Sequence, residues 1–289
     1  MPDAKIMDGR ALAAELLSRA KRLIGAVREC AGHPPSLTTM IVGDDPASHI
    51  YVRMKQRRCD ETGVAARTIE LPATVDSERV VAEVRRLGEM PAVDAILVQH
   101  PIPSPIDRRA VFEAIPLEKD VDGVSSAALG RVIAGLPGPA PCTPAGIMAL
   151  LRAYEVDLDG AHAVVIGRSP ILGRPLASML INAHATVTLC HSRTRGLREI
   201  TRQADVLIAA AGRPRMVTDD WIKPGAVVID AGYSADGAGD VDFEAVRAAA
   251  ALVTPVPGGV GPVTIATLVL QTAQIAAAHV GLQESAPQP

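Results

Sequence analysis

Aromatic residues are nearly absent: the 289 residues include one Trp, three Tyr and two Phe. Packing must rest on Ala, Val, Leu and Ile, and a hydrophobic content of 48% suffices for substantial cores. Charge is also sparse. Charged residues make up 21%, the formal net charge is −3, and no strongly basic segment appears, so nucleic acid is not an expected partner. Cys30, Cys59, Cys142 and Cys190 are scattered without a CxxC, which argues against a zinc site and for reduced cytosolic thiols. No apolar run is clean enough for a membrane span. The most apolar stretch, Val263 to Val280, is broken by Thr267, Gln271, Thr272, Gln274 and His279, and reads as a buried helix. The opening MPDAKIMDGR lacks the apolar core of a secretory leader, so the expectation is a cytoplasmic protein with no membrane attachment.

What is present is an alternation of helices and strands in a chain long enough for two domains. Leu12, Leu16, Ala20, Leu23 and Val27 recur at helical intervals from Asp8, a plausible cap, to Arg28. Strands are expected at 37–42, 66–71 and 94–99, separated by helices at 48–63 and 77–87. Parallel sheets of this kind gather ligands at the carboxyl ends of their strands, and Gln99 is at such an end. The Pro- and Gly-rich AGLPGPAPCTP, 134–144, marks the expected boundary. A first domain is expected over 1–140 and a second over 141–262, with the helix from about 263 to 282 packing back on the first. The tail QESAPQP is expected to be disordered.

Two stretches carry chemistry. In VVIGRSPILGRP, Gly167 follows a strand and Gly173 opens a helix, a turn that presents backbone N–H groups at a positive helix end and suits a pyrophosphate. Ser169 stands in place of the middle glycine of GxGxxG, and the alternative is a plain strand–loop–helix turn. The next strand runs into CHSRT, offering Ser192 and Arg193 where an NAD site carries an acid. With Arg168 these groups suit an extra 2′-phosphate, which favours NADP. Alternatively, both arginines are solvated charges. In SHIYVRMK, Tyr51 and Lys55 share a helical face, a spacing that is ordinarily a surface contact.

The segments SHIYVRMKQRRCDETG, ILVQHPIP, EKDVDG, PCTPAGIMALL, VIGRSPILGRP, ATVTLCHSRT and TPVPGGVGPVTIATL resemble, in order, those of methylenetetrahydrofolate dehydrogenase/cyclohydrolase enzymes. The resemblance runs from about Asp8 to about Gln283. It implies two α/β domains with a cleft between them, the second Rossmann-like, and a cytosolic homodimer without metal. It further implies NADP-dependent oxidation of 5,10-methylenetetrahydrofolate and hydrolysis of the methenyl product to 10-formyltetrahydrofolate in one-carbon metabolism. By that resemblance Lys55 is the catalytic lysine, with Tyr51 and Gln99 in the same site, and Asp122 grips the pterin. Val52, Arg53, Met54, Val98, His100 and the run Pro257, Gly258, Gly259, Val260 and Gly261 line the folate pocket. Gly167, Arg168, Ser169, Ser192, Arg193 and Tyr233 hold the cofactor.

The chemistry wants these groups. Hydride loss leaves a cation stabilised by two flanking nitrogens and needs alignment rather than a base. Hydrolysis needs protons moved, which a lysine of lowered pKa can do when Gln99 holds it neutral and directed. A carboxylate matches the two-donor edge of a pterin. Read alone, Asp120 and Asp122 are equally turn formers, Gln99 a strand cap, His191 structural, and PGGVGP a turn before a helix. Departures from the family pattern cluster near the expected pockets: His100 replaces the usual Leu, VSSAALG follows KDVDG, and DAGYS places Tyr233 where an aliphatic residue is usual. Two rivals stand beside this reading, an NADP dehydrogenase of a small hydroxy or amino acid and a binding paralogue without turnover.

Overall fold

The structure, a computed structural model, describes residues 3–234 and 237–282. The tail QESAPQP therefore lies outside the described residues. In chain order the first elements are β1 (Lys5–Ile6), α1 (Gly9–Ala31), β2 (Ser36–Val42), α2 (Pro46–Thr62), β3 (Ala65–Leu71), α3 (Ser77–Glu89), β4 (Ala95–Val98), α4 (Arg108–Glu113) and α5 (Ser126–Ile133). They continue with α6 (Cys142–Ala153), β5 (His162–Ile166), α7 (Gly173–Asn182), β6 (Thr186–Cys190), α8 (Leu197–Thr201), β7 (Val206–Ala209), β8 (Val227–Asp230), α9 (Phe243–Arg247), β9 (Leu252–Val253) and α10 (Val260–His279).

The chain divides into two compact units, each with its own parallel sheet. One unit comprises residues 15–130, 138–140 and 265–282, and holds β3-β2-β4. Because β3 and β4 flank β2 on opposite sides, the chain reverses direction across the sheet there. Such a switch point opens a crevice at the carboxyl ends of the strands. Helix α2 starts beside that crevice for local reasons. Asp45 caps it through the Ser48 N–H at 2.9 Å, Pro46 occupies its first turn, and Gly63 ends it with φ of 91°.

The other unit comprises the described residues of 3–14, 131–137 and 141–264, and its strand order is β1-β9-β8-β7-β5-β6. Here the reversal is at β5, flanked by β6 and β7. Val164, Ile166, Leu207, Ala209, Val228 and Val253 form the apolar core beneath the strand ends. The opening residues differ in placement from the sequence-based division, which put them in the first domain. Lys5 and Ile6 pair with Leu252 and Val253, and the Met7 N–H donates to the Val253 carbonyl at 2.8 Å. A two-residue strand added by backbone bonds to a distant edge leaves no local pattern to read.

Helix α10 is long and apolar enough to cross a membrane by length and composition, but 78% of its apolar window is buried within the protein. Its polar residues find internal partners: Thr272 Oγ1 donates to the Leu268 carbonyl at 2.8 Å, and Gln271 is 9% exposed. None of the four cysteines forms a disulfide.

Candidate active site

Lys55 and Gln99 meet at the switch point of the three-stranded sheet. Gln99 follows β4 directly, and its N–H donates to the Met40 carbonyl of β2 at 2.8 Å, which fixes its backbone in the sheet. Lys55 lies on the third turn of α2, and its Nζ donates to Gln99 Oε1 at 2.9 Å. The amide is held at its other end, since Gln99 Nε2 donates to the His100 carbonyl at 2.6 Å. Ser48 Oγ reaches the same carbonyl at 3.2 Å and also donates to the capping Asp45 at 2.7 Å. Amine, amide and helix cap therefore form one connected set. Tyr51 shares the face of Lys55 one turn earlier and is half-buried. Val52 is buried in the core, whereas Arg53 and Met54 are exposed. Burial, reinforced by the Asp60 charge, pushes the nearby Cys59 thiol up to about 12, so it is no nucleophile.

His100 is the residue that departs most from expectation. Its ring packs edge-on against Phe112 with centroids 5.0 Å apart, and its Nε2 is sealed from solvent without a hydrogen-bond partner. Burial holds its pKa below the ordinary 6.5; the Asp122 charge opposes the shift, and Lys55 and Arg108 reinforce it. Its ionisation therefore lies on the acid side of an ordinary imidazole's. The unfolded chain binds the proton more readily, so His100 costs stability as pH falls through 6.5. His100→Leu should remove that loss and the unpartnered nitrogen, worth about 1–3 kcal/mol. Thermal melts at several pH values read both effects, and a variant no more stable than the parent at pH 5 contradicts them.

Asp120 and Asp122 separate in role. Asp120 is fully buried and accepts the N–H groups of Val124 at 3.1 Å and Ser125 at 2.8 Å, so it shapes the turn ahead of α5. Burial pushes its carboxyl up, and the Asp122 charge adds to the shift. Asp122 is half-buried, and its charge opposes the lowering of the His100 pKa. The loop carrying it is pinned from α10, where Gln271 Nε2 donates to the carbonyls of Val121 at 2.8 Å and Ala140 at 2.9 Å.

In the six-stranded unit, Cys190, Ile166, Ala209 and Asp230 end their strands in one row. Gly167 follows with φ of 127°, and its N–H donates to the Cys190 carbonyl at 2.9 Å. A Cβ at Gly167 would fall 2.2 Å from the Ala210 carbonyl oxygen, and one at Gly173 would fall 1.8 Å from the carbonyl oxygen of Gly167. Only glycine permits this close turn onto α7. Ser169 braces the loop: its carbonyl accepts the Arg174 N–H at 3.1 Å and its Oγ the Ile171 N–H at 3.3 Å. Arg168, Ser192 and Arg193 are exposed at the same sheet end. The turn bearing Ser192 and Arg193 is tied by the Arg193 N–H on His191 Nδ1 at 3.1 Å and the His191 N–H on Thr194 Oγ1 at 2.9 Å, which gives His191 a structural task. Tyr233, 51% exposed, follows β8. The Pro257–Gly261 run belongs to this unit, not to the one that carries Lys55. It is built on close backbone approach, with the Gly9 N–H donating to the Gly258 carbonyl at 2.9 Å.

Residues 7–122 match the model of the tetrahydrofolate dehydrogenase/cyclohydrolase catalytic domain, and residues 141–280 that of the family's NAD(P)-binding domain. The chain belongs to the tetrahydrofolate dehydrogenase/cyclohydrolase family. A bifunctional protein FolD 1 of Streptomyces avermitilis is 51% identical over 97% of this chain and 98% of its own length. The FolD methylenetetrahydrofolate dehydrogenase/cyclohydrolase of Campylobacter jejuni superposes with a TM-score of 0.92 at 41% identity, covering 96% of this chain and 99% of its own. The Trypanosoma brucei FolD, solved with NADP cofactor and an inhibitor, gives 0.92 at 38% identity over 97% and 99%. Among members of this family, therefore, the present chain aligns along nearly its full length.

Sequence reasoning passed over the part that four residues play in these sites. Ser48 and Asp45 tie the helix cap to the His100 carbonyl, Gln271 pins the Asp122 loop, and Asp240 holds the turn after β7. An amide among the few polar residues of a buried apolar helix was the available sign for Gln271. Nothing comparable marks Asp240.

Proposed function

We propose that this protein oxidises 5,10-methylenetetrahydrofolate with NADP and hydrolyses the 5,10-methenyl product to 10-formyltetrahydrofolate. The observation that carries the reading is the Lys55 Nζ to Gln99 Oε1 contact of 2.9 Å at the carboxyl end of β4. A side-chain amide that accepts from the amine orients its remaining valences, and an oriented amine can take a proton from attacking water and return it to the departing ring nitrogen. Tyr51 stacks on or proton-relays to the same centre. Asp122 accepts the donor edge of the pterin, and Pro257–Gly261 lines the folate path. Hydride transfer requires folate and nicotinamide side by side, so the reading includes the interdomain cleft expected from sequence.

The Gly167–Gly173 loop fits a dinucleotide, because a Cβ at either glycine would close the cradle. Bound NADP supplies the hydride acceptor. Arg168, Ser192 and Arg193 hold its 2′-phosphate, with Gly167 and Ser169 at the pyrophosphate and Tyr233 near the nicotinamide. Arg193→Ala should then raise the KM for NADP about tenfold or more while leaving that for NAD nearly unchanged, the loss of one charge-assisted contact. Parallel loss with both dinucleotides contradicts the assignment. Homodimerisation, cytoplasmic location, a part in purine biosynthesis and independence of membranes, metal and nucleic acid belong to the proposal, supported by family kinship and composition.

Spectroscopic assays with methylene- and methenyltetrahydrofolate test the whole reading. Turnover of both is expected. Turnover of a small hydroxy or amino acid without folate, or tight folate binding with no reaction, selects one of the rivals instead.

A further inference from the structure

After β7 the chain turns through Ala210, Ala211, Gly212 and Arg213, and three successive amides point at one carboxylate. Asp240 accepts the N–H groups of Ala211 at 2.5 Å, Gly212 at 3.0 Å and Arg213 at 2.6 Å. Successive amides converging in this way make a concavity that suits an anion. Here the chain fills it with its own side chain, only 1% exposed. A second carboxylate stands behind the first. Asp230, the last residue of β8, accepts the N–H groups of Asp240 and Val241 at 3.0 Å each and of Gly232 at 2.9 Å. Its own N–H donates to Thr254 Oγ1 at 2.7 Å. No space is spare: a Cβ on Gly239 would lie 1.9 Å from Asp230 Oδ2, and one on Gly232 would lie 2.3 Å from Asp240 Cγ.

The relay ends at the dinucleotide loop. The Ala210 carbonyl is the group that Gly167 approaches, and the Ala210 N–H donates to the Ile166 carbonyl at 2.8 Å. Where Ala210 sits therefore limits where the backbone of Gly167 can run. Burial, with the Asp240 charge adding to it, pushes the Asp230 carboxyl up to about 6. Apolar residues could not accept these N–H groups, so each enclosed carboxylate offsets its burial by satisfying three backbone amides and fixes the turn that carries them.

We propose that Asp240, backed by Asp230, is a positioning residue for the nucleotide cofactor, fixing the Ala210–Arg213 turn so that Gly167 can admit a pyrophosphate. The inference rests on the NADP reading above. Neither carboxylate touches the reacting atoms.

Calorimetric titration of NADP into the parent, Asp240→Asn and Gly212→Ala tests it. Asparagine turns a donor towards some of the three amides. Gly212 has φ of +66° and open space where a Cβ would go, so alanine there strains only the turn. The dissociation constant for NADP should rise about tenfold or more in Asp240→Asn and a few-fold in Gly212→Ala. Hydrolysis of methenyltetrahydrofolate, which consumes no NADP, should stay within about twofold of the parent, unlike the joint loss that general unfolding gives. Unchanged NADP affinity in the folded Asp240→Asn variant overturns the proposal, as does equal loss of affinity and hydrolysis. If that variant does not fold, Gly212→Ala decides by the same criteria. Calorimetry reports NADP binding whether or not folate turns over, so failure of the enzymatic reading shows up separately as an inactive parent.

Discussion

Lys55→Ala should lose hydrolysis of methenyltetrahydrofolate by about 100- to 10,000-fold, the range that general acid–base groups contribute. Oxidation should persist, because loss of hydride from a carbon flanked by two nitrogens generates a stabilised cation without any base. The expected result is therefore accumulation of the methenyl cation during turnover of methylenetetrahydrofolate, visible by its absorbance, with NADP affinity near that of the parent. The side chain is not needed for the fold: Lys55 is half-buried, while α2 is fixed by Asp45 at one end and Gly63 at the other. A thermal midpoint near the parent's should accompany the loss. If the variant hydrolyses normally, the proton-transfer role is wrong. If oxidation and hydrolysis fall equally, Lys55 binds folate and does not move protons.

The second large effect is expected from Gly173→Ala, and it falls on the opposite activity. The added methyl would lie 1.8 Å from the Gly167 carbonyl oxygen, a backbone atom that cannot swing away like a side-chain tip. The Gly167–Gly173 loop must shift, at a cost of about 1–3 kcal/mol for forced overpacking. A displaced cradle misaligns the dinucleotide, and misplacement by about 1 Å costs on the order of 100-fold in rate. Dehydrogenase activity with NADP should drop by that order while hydrolysis, carried by the other unit, remains. Loss of both together points to unfolding, which a melting curve checks. Wild-type oxidation in the variant contradicts the assignment of the loop.

Helix α2 was legible from sequence because helical spacing and a stopping glycine are local signals, although its start at Asp45 and Pro46 was placed two residues late, at Ser48. The same holds for α7, opened by Gly173, and for β2 and β5, which are buried apolar runs between turns. The pairing of Lys55 with Gln99 is not local. The two are far apart in sequence, and their approach depends on β2 and β4 being neighbours, so only the likeness of many segments to one family brought them together. Short elements escaped for a related reason. Strand β1 consists of two residues whose partner is 247 positions away, Lys5 opposite Leu252. Asp240 and Asp230 escaped because carboxylates that serve backbone amides impose no period on the residues around them. His100 was visible as a departure, but the direction of its titration depended on burial against Phe112, which no spacing reveals.

A cocrystal with a tetrahydrofolate analogue and NADP tests the central claim most directly. The account predicts that the analogue's one-carbon position lies within contact of Lys55 Nζ and faces the nicotinamide ring, with the donor edge of the pterin on Asp122. An analogue bound elsewhere, with the amine of Lys55 turned to bulk water, contradicts it.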